Sequence, residues 1–323
     1  FLTIKGKKND GNKFIADALK KGAKYFISSK VIKKYKKKTI IVKNEISFLN
    51  KFAKLKRKYS LAKIIGITGS AGKTSLKNII RDLLQNFEKT HSSPRSFNNH
   101  FGVPISLSNL NINDKFGIFE VGMSKAGEIN NLSKLIQPHI GIITNIGEAH
   151  IENFKNIKDI AKAKGEIIGN IKESGTVILN RDDKFFSYLA KKARSKKINI
   201  VSFGKNKKSD VCPIKTSNIK NLIKMTIKVK DQKLDLCIKN INIYNLLASL
   251  ALLKELNLNL KKIKNIFRNY EPTEGRGSKH NIKRYNKKFT LIDESYNANP
   301  LSVRNAISNF NLIKKEQFKK YLI

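Results

Sequence analysis

The sequence predicts an α/β protein whose centre is a mostly parallel sheet carrying a phosphate-binding loop. Three observations support that expectation. Ile64-Ile65-Gly66-Ile67 is a short buried-strand run that leads directly into Gly69-Ser70-Ala71-Gly72-Lys73-Thr74. The residues after this loop place Leu76, Ile79, Ile80, Leu83, Leu84 and Phe87 at i, i+3, i+4, i+7, i+8 and i+11, which is one face of a helix. Further apolar strand runs then recur at 116–121, 140–144, 176–179 and 198–203 with helical stretches between them, the alternation of βαβ units.

The remaining elements are arranged around that core. Residues 1–60 read as a small α/β unit, with apolar segments at 14–19, 25–28 and 39–42 separated by lysine-rich turns. Ile223, Met225, Ile227 and Val229 alternate, and Leu234, Leu236 and Ile238 do so after Asp231-Gln232, which predicts an antiparallel hairpin at the edge of the sheet. Helices are expected over 244–256 and 260–267. A linker at Glu271-Pro272-Thr273-Glu274-Gly275 then leads to a last unit opening with a strand over 289–293. The expected division is therefore 1–60, 61–272 and 273–323. The first residue is Phe1 rather than Met, and Lys320-Tyr321-Leu322-Ile323 stops inside a continuing α/β pattern, so truncation at both ends is expected.

Composition constrains function more weakly. The 323 residues, 40% of them hydrophobic, can build real cores. A formal net charge of +42, from 66 Lys+Arg against 24 Asp+Glu, taken alone suggests a polyanionic partner. Only nine of those cations are Arg, however, the residue that bidentate base and phosphate recognition favours. The lysines are spread along the whole chain together with abundant Ile, Asn and Phe, so the charge reads as a solvated surface that favours anionic small molecules, and no nucleic-acid partner is expected. Cys212 and Cys237 lack metal-ligand spacing and form no disulfide framework, which fits a reducing interior. No apolar run reaches the ~20 residues needed to span a bilayer, so a cytoplasmic protein without membrane insertion is expected.

In the loop, glycines let backbone N–H groups turn inward on phosphate oxygens at a helix N-terminus, Lys73 reaches the outer phosphates, and Thr74 offers its hydroxyl to Mg²⁺. Its spacing is the tight T-G-x-x-G-K-T form. Two further strands end in groups suited to the same site. Glu120, in Phe119-Glu120-Val121-Gly122-Met123-Ser124, ends one strand run, and Thr144-Asn145-Ile146-Gly147-Glu148-Ala149-His150 ends the next, where doubly wound sheets bind ligands. In the helix expected over 158–171 the apolar face runs Ile160, Lys164, Ile167, Ile168, Ile171, so a lysine occupies an interior position. Burying its ammonium is costly unless the group is paired, chemically altered, or snorkels to water.

Together with Ser96-Phe97-Asn98-Asn99-His100, Gly275-Arg276-Gly277 and Asp293-Glu294-Ser295-Tyr296-Asn297-Ala298-Asn299-Pro300, these segments resemble the Mur ligase family over almost the whole chain. The resemblance implies a three-domain architecture, of which the first domain is partial and the last truncated, and ATP-dependent amide-bond formation in peptidoglycan precursor synthesis. It implies ATP contacts at Gly69, Ser70, Ala71, Gly72, Lys73, Thr74, Asn245, Arg276, Asp293 and Glu294, with Asn98 and Asn99 on the phosphate side. Metal ligation falls to Thr74, Glu120, His150 and, if carbamylated, Lys164. Lys73, Lys164, His150 and Arg276 are the implied catalytic residues.

The Ser295-Tyr296-Asn297-Ala298-Asn299-Pro300 segment resembles the branch that adds D-alanyl-D-alanine to UDP-N-acetylmuramoyl-tripeptide, with Glu294 standing where a second Asp is usual. Those two substrates, ATP with Mg²⁺, an acyl-phosphate intermediate and a monomeric protein are therefore expected. Asp10-Gly11-Asn12-Lys13-Phe14-Ile15 resembles the family's uridine-nucleotide-binding segment. Where the family often has G-x-H-N-x-x-N, this chain has Asn242-Ile243-Tyr244-Asn245-Leu246-Leu247-Ala248, so Asn245 keeps an adenine-side amide while Tyr244 and Ala248 depart from the pattern. The rival readings are another amide ligase of the same superfamily, tripeptide-forming or folylpolyglutamate-forming, and a basic nucleic-acid-binding ATPase.

Overall fold

The computed structural model describes residues 1–6, 9–219, 222–239, 241–268, 270–284, 287–311, 319 and 321–322. Near the start, α1 (Ile15–Lys20) precedes two short strands, β1 (Phe26–Ser28) and β2 (Thr39–Ile41), which pair in parallel with Phe26 opposite Thr39. The helix α2 (Glu45–Tyr59) follows, capped where the Asn44 side chain accepts from the Ser47 amide. Sequence patterning missed this helix because lysines crowd it and its deeply buried positions are few: Leu49, Ala53 and Arg57.

The central elements are β3 (Lys63–Thr68), α3 (Lys73–Leu84), β4 (Thr90–Ser92), α4 (Gly102–Ser108), β5 (Phe116–Glu120), α5 (Glu128–Ile136) and β6 (Ile140–Ile143). They continue through α6 (Ile157–Lys164), β7 (Thr176–Asn180), α7 (Phe186–Ser195), β8 (Asn199–Phe203), β9 (Val211–Ile219), β10 (Leu222–Val229), β11 (Gln232–Ile238) and α8 (Ile243–Glu255). Among the described residues nine strands form one sheet in the order β11-β10-β9-β8-β7-β6-β3-β5-β4. From β4 to β9 the pairings are parallel, and β9, β10 and β11 are antiparallel, so the expected hairpin does edge the sheet. The strand β9, whose exposed stretch of Lys215, Thr216 and Ser217 follows Pro213, carries no strand-like alternation and was not foreseen.

Both faces of the sheet are covered, as a parallel sheet requires. One core packs α3 and α8 against Ile65, Ile67, Ile118 and Ile142, and the other packs α4 to α7 against Ile64, Phe119, Val121 and Ile143. Ile64, Ile65 and Ile67 are fully buried, each burial contributing roughly 2 kcal/mol relative to exposure.

Two helical expectations change form. The stretch expected over 158–171 is α-helical only through Lys164 and then tightens into a 3₁₀ turn, Gly165–Asn170. Two glycines weaken the α form there, and the Glu166 carboxylate is drawn across to accept from the Gly127 and Asn130 amides at the start of α5. The stretch expected over 260–267 is a 3₁₀ turn, Leu260–Ile263, whose two apolar ends eclipse at i, i+3 and both bury.

The last unit contains the hairpin β12 (Ser278–Arg284) and β13 (Lys287–Asp293), then α9 (Pro300–Asn311). Only the second of these strands was legible in the sequence. Among the described residues no helix is long and apolar enough to cross a membrane.

Two side chains fasten α2 and the start of β3 to the turn between α5 and β6. The Arg57 guanidinium, almost fully buried, donates to the carbonyls of Ile136 (2.6 Å) and Gln137 (2.9 Å), and Gln137 itself is left-handed at φ 44°. These carbonyls end α5 and would otherwise lack partners. Arg57→Ala should lower unfolding stability by about 2–4 kcal/mol, read from urea midpoints at constant slope. His139 Nδ1 accepts from the Ile64 amide at 2.8 Å, so the ring is held neutral. Burial, with Arg57, Lys172 and Lys63 nearby, pushes its pKa down to about 4. Below its ordinary value near 6.5 the unfolded chain binds a proton that the folded chain refuses, so stability should fall as pH drops from about 6.5 towards 4. His139→Asn, which keeps an acceptor for the amide, should flatten that dependence in a pH series of unfolding curves.

Candidate functional site

The carboxyl ends of β3, β5 and β6 meet where the phosphate loop leaves the sheet, and a cleft of about 520 Å³ opens there. Its lining includes Ser70 to Thr74, Asn98, Asn99, Glu120, His150, Lys164 and Arg276, so segments far apart in the sequence come together. The loop's shape is enforced from β6. The Thr144 hydroxyl donates to the Ala71 carbonyl at 2.7 Å, the Asn145 side chain accepts from the Ala71 amide at 2.9 Å, and the Ser70 amide donates to the Asn145 carbonyl at 3.0 Å. The Ser70 hydroxyl and the Gly147 backbone complete the brace. The sequence marked this second segment for His150 alone; its bracing role had no signal beyond the polar pair Thr144-Asn145 at a strand end.

Gly69 has φ 148° and Gly72, which begins α3, has φ 81°. A Cβ on Gly69 would stand 1.9 Å from the Thr144 hydroxyl oxygen. The Lys73 ammonium folds back onto the Gly69 carbonyl at 2.8 Å, and burial lowers its pKa against the opposing pull of Glu120.

Glu120 is buried at the end of β5 and accepts from the Thr74 hydroxyl and the Asn98 amide, each at 2.7 Å. Asn98 is held in turn by its carbonyl, which accepts from the Gly122 amide, and a Cβ on Gly122 would meet the Asn98 amide carbon at 2.8 Å. The adjacent Asn99 does different work: its side-chain oxygen accepts from the amides of Phe101 and Gly102 where α4 begins.

Lys164 is 2% exposed and lines the cleft with no hydrogen-bond or ion-pair partner among the described residues. Burial, and secondarily the charge of Lys73, holds its pKa far below the ordinary lysine value. The interior position read from periodicity is therefore where the side chain lies, and it does not snorkel. His150 is half exposed and left-handed at φ 61°, with Nδ1 3.7 Å from Glu152.

The last unit closes one side of the cleft. The Arg276 guanidinium lies 4.0 Å from the Tyr296 ring centroid, and the Tyr296 hydroxyl is 2.5 Å from the Ser96 hydroxyl. Asp293 and Glu294 do not line the cleft: Asp293 accepts from the Gly275 and Ser295 amides and shapes the turn beneath Arg276. Burial and the charge of Asp293 raise the Glu294 pKa. Asn245 also stands behind the loop, its side-chain oxygen 3.2 Å from where a Gly72 Cβ would be.

Among the described residues no three His, Cys, Asp or Glu side chains are grouped to hold a metal ion. The buried Thr74 hydroxyl and Glu120 carboxylate nevertheless form an oxygen pair at the mouth of the phosphate loop, and such a pair fits Mg²⁺, which keeps waters and takes its other ligands from phosphates.

Gly69→Ala should weaken nucleotide binding by at least about tenfold while leaving the fold intact, because neither the left-side φ nor the contact with Thr144 can be relieved without moving the loop. Titration with a fluorescent ADP analogue, alongside circular dichroism, checks this.

Comparison with known proteins agrees with this geometry. The Mur ligase middle domain matches residues 67–253. The UDP-N-acetylmuramoyl-tripeptide--D-alanyl-D-alanine ligase of Buchnera aphidicola subsp. Acyrthosiphon pisum is 37% identical over 95% of this chain, and that of Rickettsia prowazekii 33% identical over 95%. The chain spans about two thirds of their lengths, 67% and 68%. A crystal structure of MurF from Acinetobacter baumannii superposes with a TM-score of 0.84 at 27% identity, covering 97% of this chain and 68% of that one. The MurF ligase from Thermotoga maritima in complex with ADP superposes with 0.81 at 26% identity, covering 96% and 71%. With a phosphate loop, a buried carboxylate and a cleft-lining lysine set in the same architecture, the chain belongs to the Mur ligase family.

Proposed function

We propose that this protein joins D-alanyl-D-alanine to UDP-N-acetylmuramoyl-tripeptide at the expense of ATP, in peptidoglycan precursor synthesis. The observation that carries the reading is electrostatic. Lys73 and Arg276 stand with the backbone amides of the glycine loop along one cleft, and together they supply the positive charge and the donors that a polyphosphate takes up. The relatives named above, which match 95% of this chain, support the choice of substrates.

A carboxylate is a poor acylating agent at neutral pH, and phosphorylation supplies the leaving group. Lys73 and the loop amides hold the outer phosphates of ATP while Arg276, steadied on Tyr296, stabilises charge on the phosphoryl group in transfer. The terminal carboxylate of the tripeptide attacks the γ-phosphorus and ADP leaves. The amine of D-alanyl-D-alanine then attacks the acyl phosphate and expels inorganic phosphate. Thr74 and Glu120 would hold Mg²⁺, whose charge offsets that of the phosphates.

Lys164 is proposed to react as its neutral amine with CO₂, losing a proton and giving a carbamate that adds an anion to the cleft. Its buried, unpartnered position and lowered pKa support that chemistry. His150 is proposed to face the metal side of the cleft, and Asn245 the nucleoside side. Residues 1–60 are assigned to the uridine-nucleotide-binding unit, 61–272 to the ATP-binding unit and 273–323 to the start of the ligase unit, in a monomeric cytoplasmic protein.

Phosphate release from ATP and Mg²⁺ should require UDP-N-acetylmuramoyl-tripeptide and D-alanyl-D-alanine together, with a pentapeptide product seen by mass. Release that ignores either substrate, or that responds to RNA or DNA instead, would overturn the reading. Lys164→Ala should lower ligation by about 100-fold or more while ADP binding changes by less than about threefold. A ¹³CO₂-dependent carbamate resonance should be present in the wild type and lost in that variant.

A further inference from the structure

Lys77 lies one turn beyond Thr74 on α3, in neither the phosphate loop nor the cleft lining, and is 1% exposed. Its ammonium donates to the Ser93 carbonyl at 2.7 Å and to the Arg95 carbonyl. Between these carbonyls the chain turns through Pro94 to Arg95, which is left-handed at φ 45°, a conformation unfavourable for a residue with a long side chain. The segment that follows supplies the Ser96 hydroxyl to Tyr296 and the Asn98 amide to Glu120. On its other side the segment is tied by the Ser93 hydroxyl, which accepts from Ser106, and by the Gly122 amide on the Asn98 carbonyl. Lys77 is thus the buried cation that holds the turn from within.

We propose that Lys77 is a positioning residue, clamping the Ser93–Arg95 turn so that Asn98 reaches Glu120 and Ser96 reaches Tyr296 at the phosphate end of the cleft. It touches none of the reacting groups and acts through Asn98. Its effect on turnover rests on the ligase reading above, whereas its effect on the loop does not. An apolar side chain of equal length would fill the same space and leave the carbonyls of the buried Ser93 and of Arg95 without this donor. The strained turn would then relax and Asn98 would leave Glu120.

The test compares the wild type, Lys77→Met, Asn98→Ala and the double variant on the full chain. Hydrogen exchange followed by mass spectrometry should speed by at least about tenfold across 93–102 in Lys77→Met, with β3 and β6 unchanged. Binding of a fluorescent ADP analogue should keep a stoichiometry of one per chain, while kcat for ligation falls about 10–100-fold and KM for ATP moves less than about threefold. Lys77→Met should add little further loss in the Asn98→Ala background, whereas independent roles would multiply.

Unchanged exchange across 93–102, a lost fraction of nucleotide-binding chains accounting for all the lost rate, or multiplicative losses would each overturn the proposal. If Lys77→Met does not fold, Lys77→Gln, which keeps one amide donor in the channel, is scored on the same readouts. A wild-type chain without ligase activity would sink the proposed function, and the exchange measurement would still decide the role of Lys77.

Discussion

The phosphate loop is held in shape by its neighbour in the sheet. A short loop with a glycine at each end has little conformation of its own, and backbone amides aimed at one point repel each other until an anion arrives. Here the Thr144 hydroxyl and the Asn145 amide side chain grip Ala71 from β6, and the Ser70 hydroxyl bonds to the Gly147 backbone. These bonds require β3 and β6 to lie side by side in parallel register, with Thr68 opposite Ile143. The buried isoleucines, the crossover helices and the order of strands are what keep that register fixed, so the site inherits its precision from the sheet rather than from the loop.

Charge is the second constraint. A chain with +42 formal charges places most of its lysines in solvent, yet it also sets the partly buried Lys73 and the buried Lys77 and Lys164 in one region. Two of the three find carbonyl oxygens and the third finds none among the described residues. Glu120, the buried acid of this region, already has its oxygens engaged by Thr74 and Asn98. The interior around the loop is therefore stable in proportion to what it binds, which is the expected property of a site that must take up a triphosphate and release a diphosphate.

The parts of this protein that could be read from its sequence are those in which one physical rule dominates. Leu76 to Phe87 show a helix because burial on one face leaves a 3.6-residue period, and Lys164 betrays its interior position because it breaks such a period. The loop is legible because phosphate binding demands glycine at fixed spacing. What stayed hidden depends on partners distant in sequence. The strand β4 is three residues long and exists by pairing with β5. Asn99 looks the same as Asn98 in the sequence, yet one caps α4 and the other touches the buried acid. Lys77 is one lysine among many until the carbonyls of Ser93 and Arg95 are seen around it.

The ends of the nine-stranded sheet bear on how this protein behaves at high concentration. An edge strand offers unpaired backbone groups to any other strand that drifts near, and long flat apolar edges invite chain-to-chain association. At one end β4 offers only Thr90, His91 and Ser92. At the other, β11 alternates Leu234 and Leu236 towards the core with Lys233 and Asp235 towards solvent. A second strand adding at the first edge would gain few bonds, and one adding at the second would have to accommodate the charged pair Lys233 and Asp235. A short polar strand at one end and a charged outer face at the other are both features that blunt an exposed sheet edge.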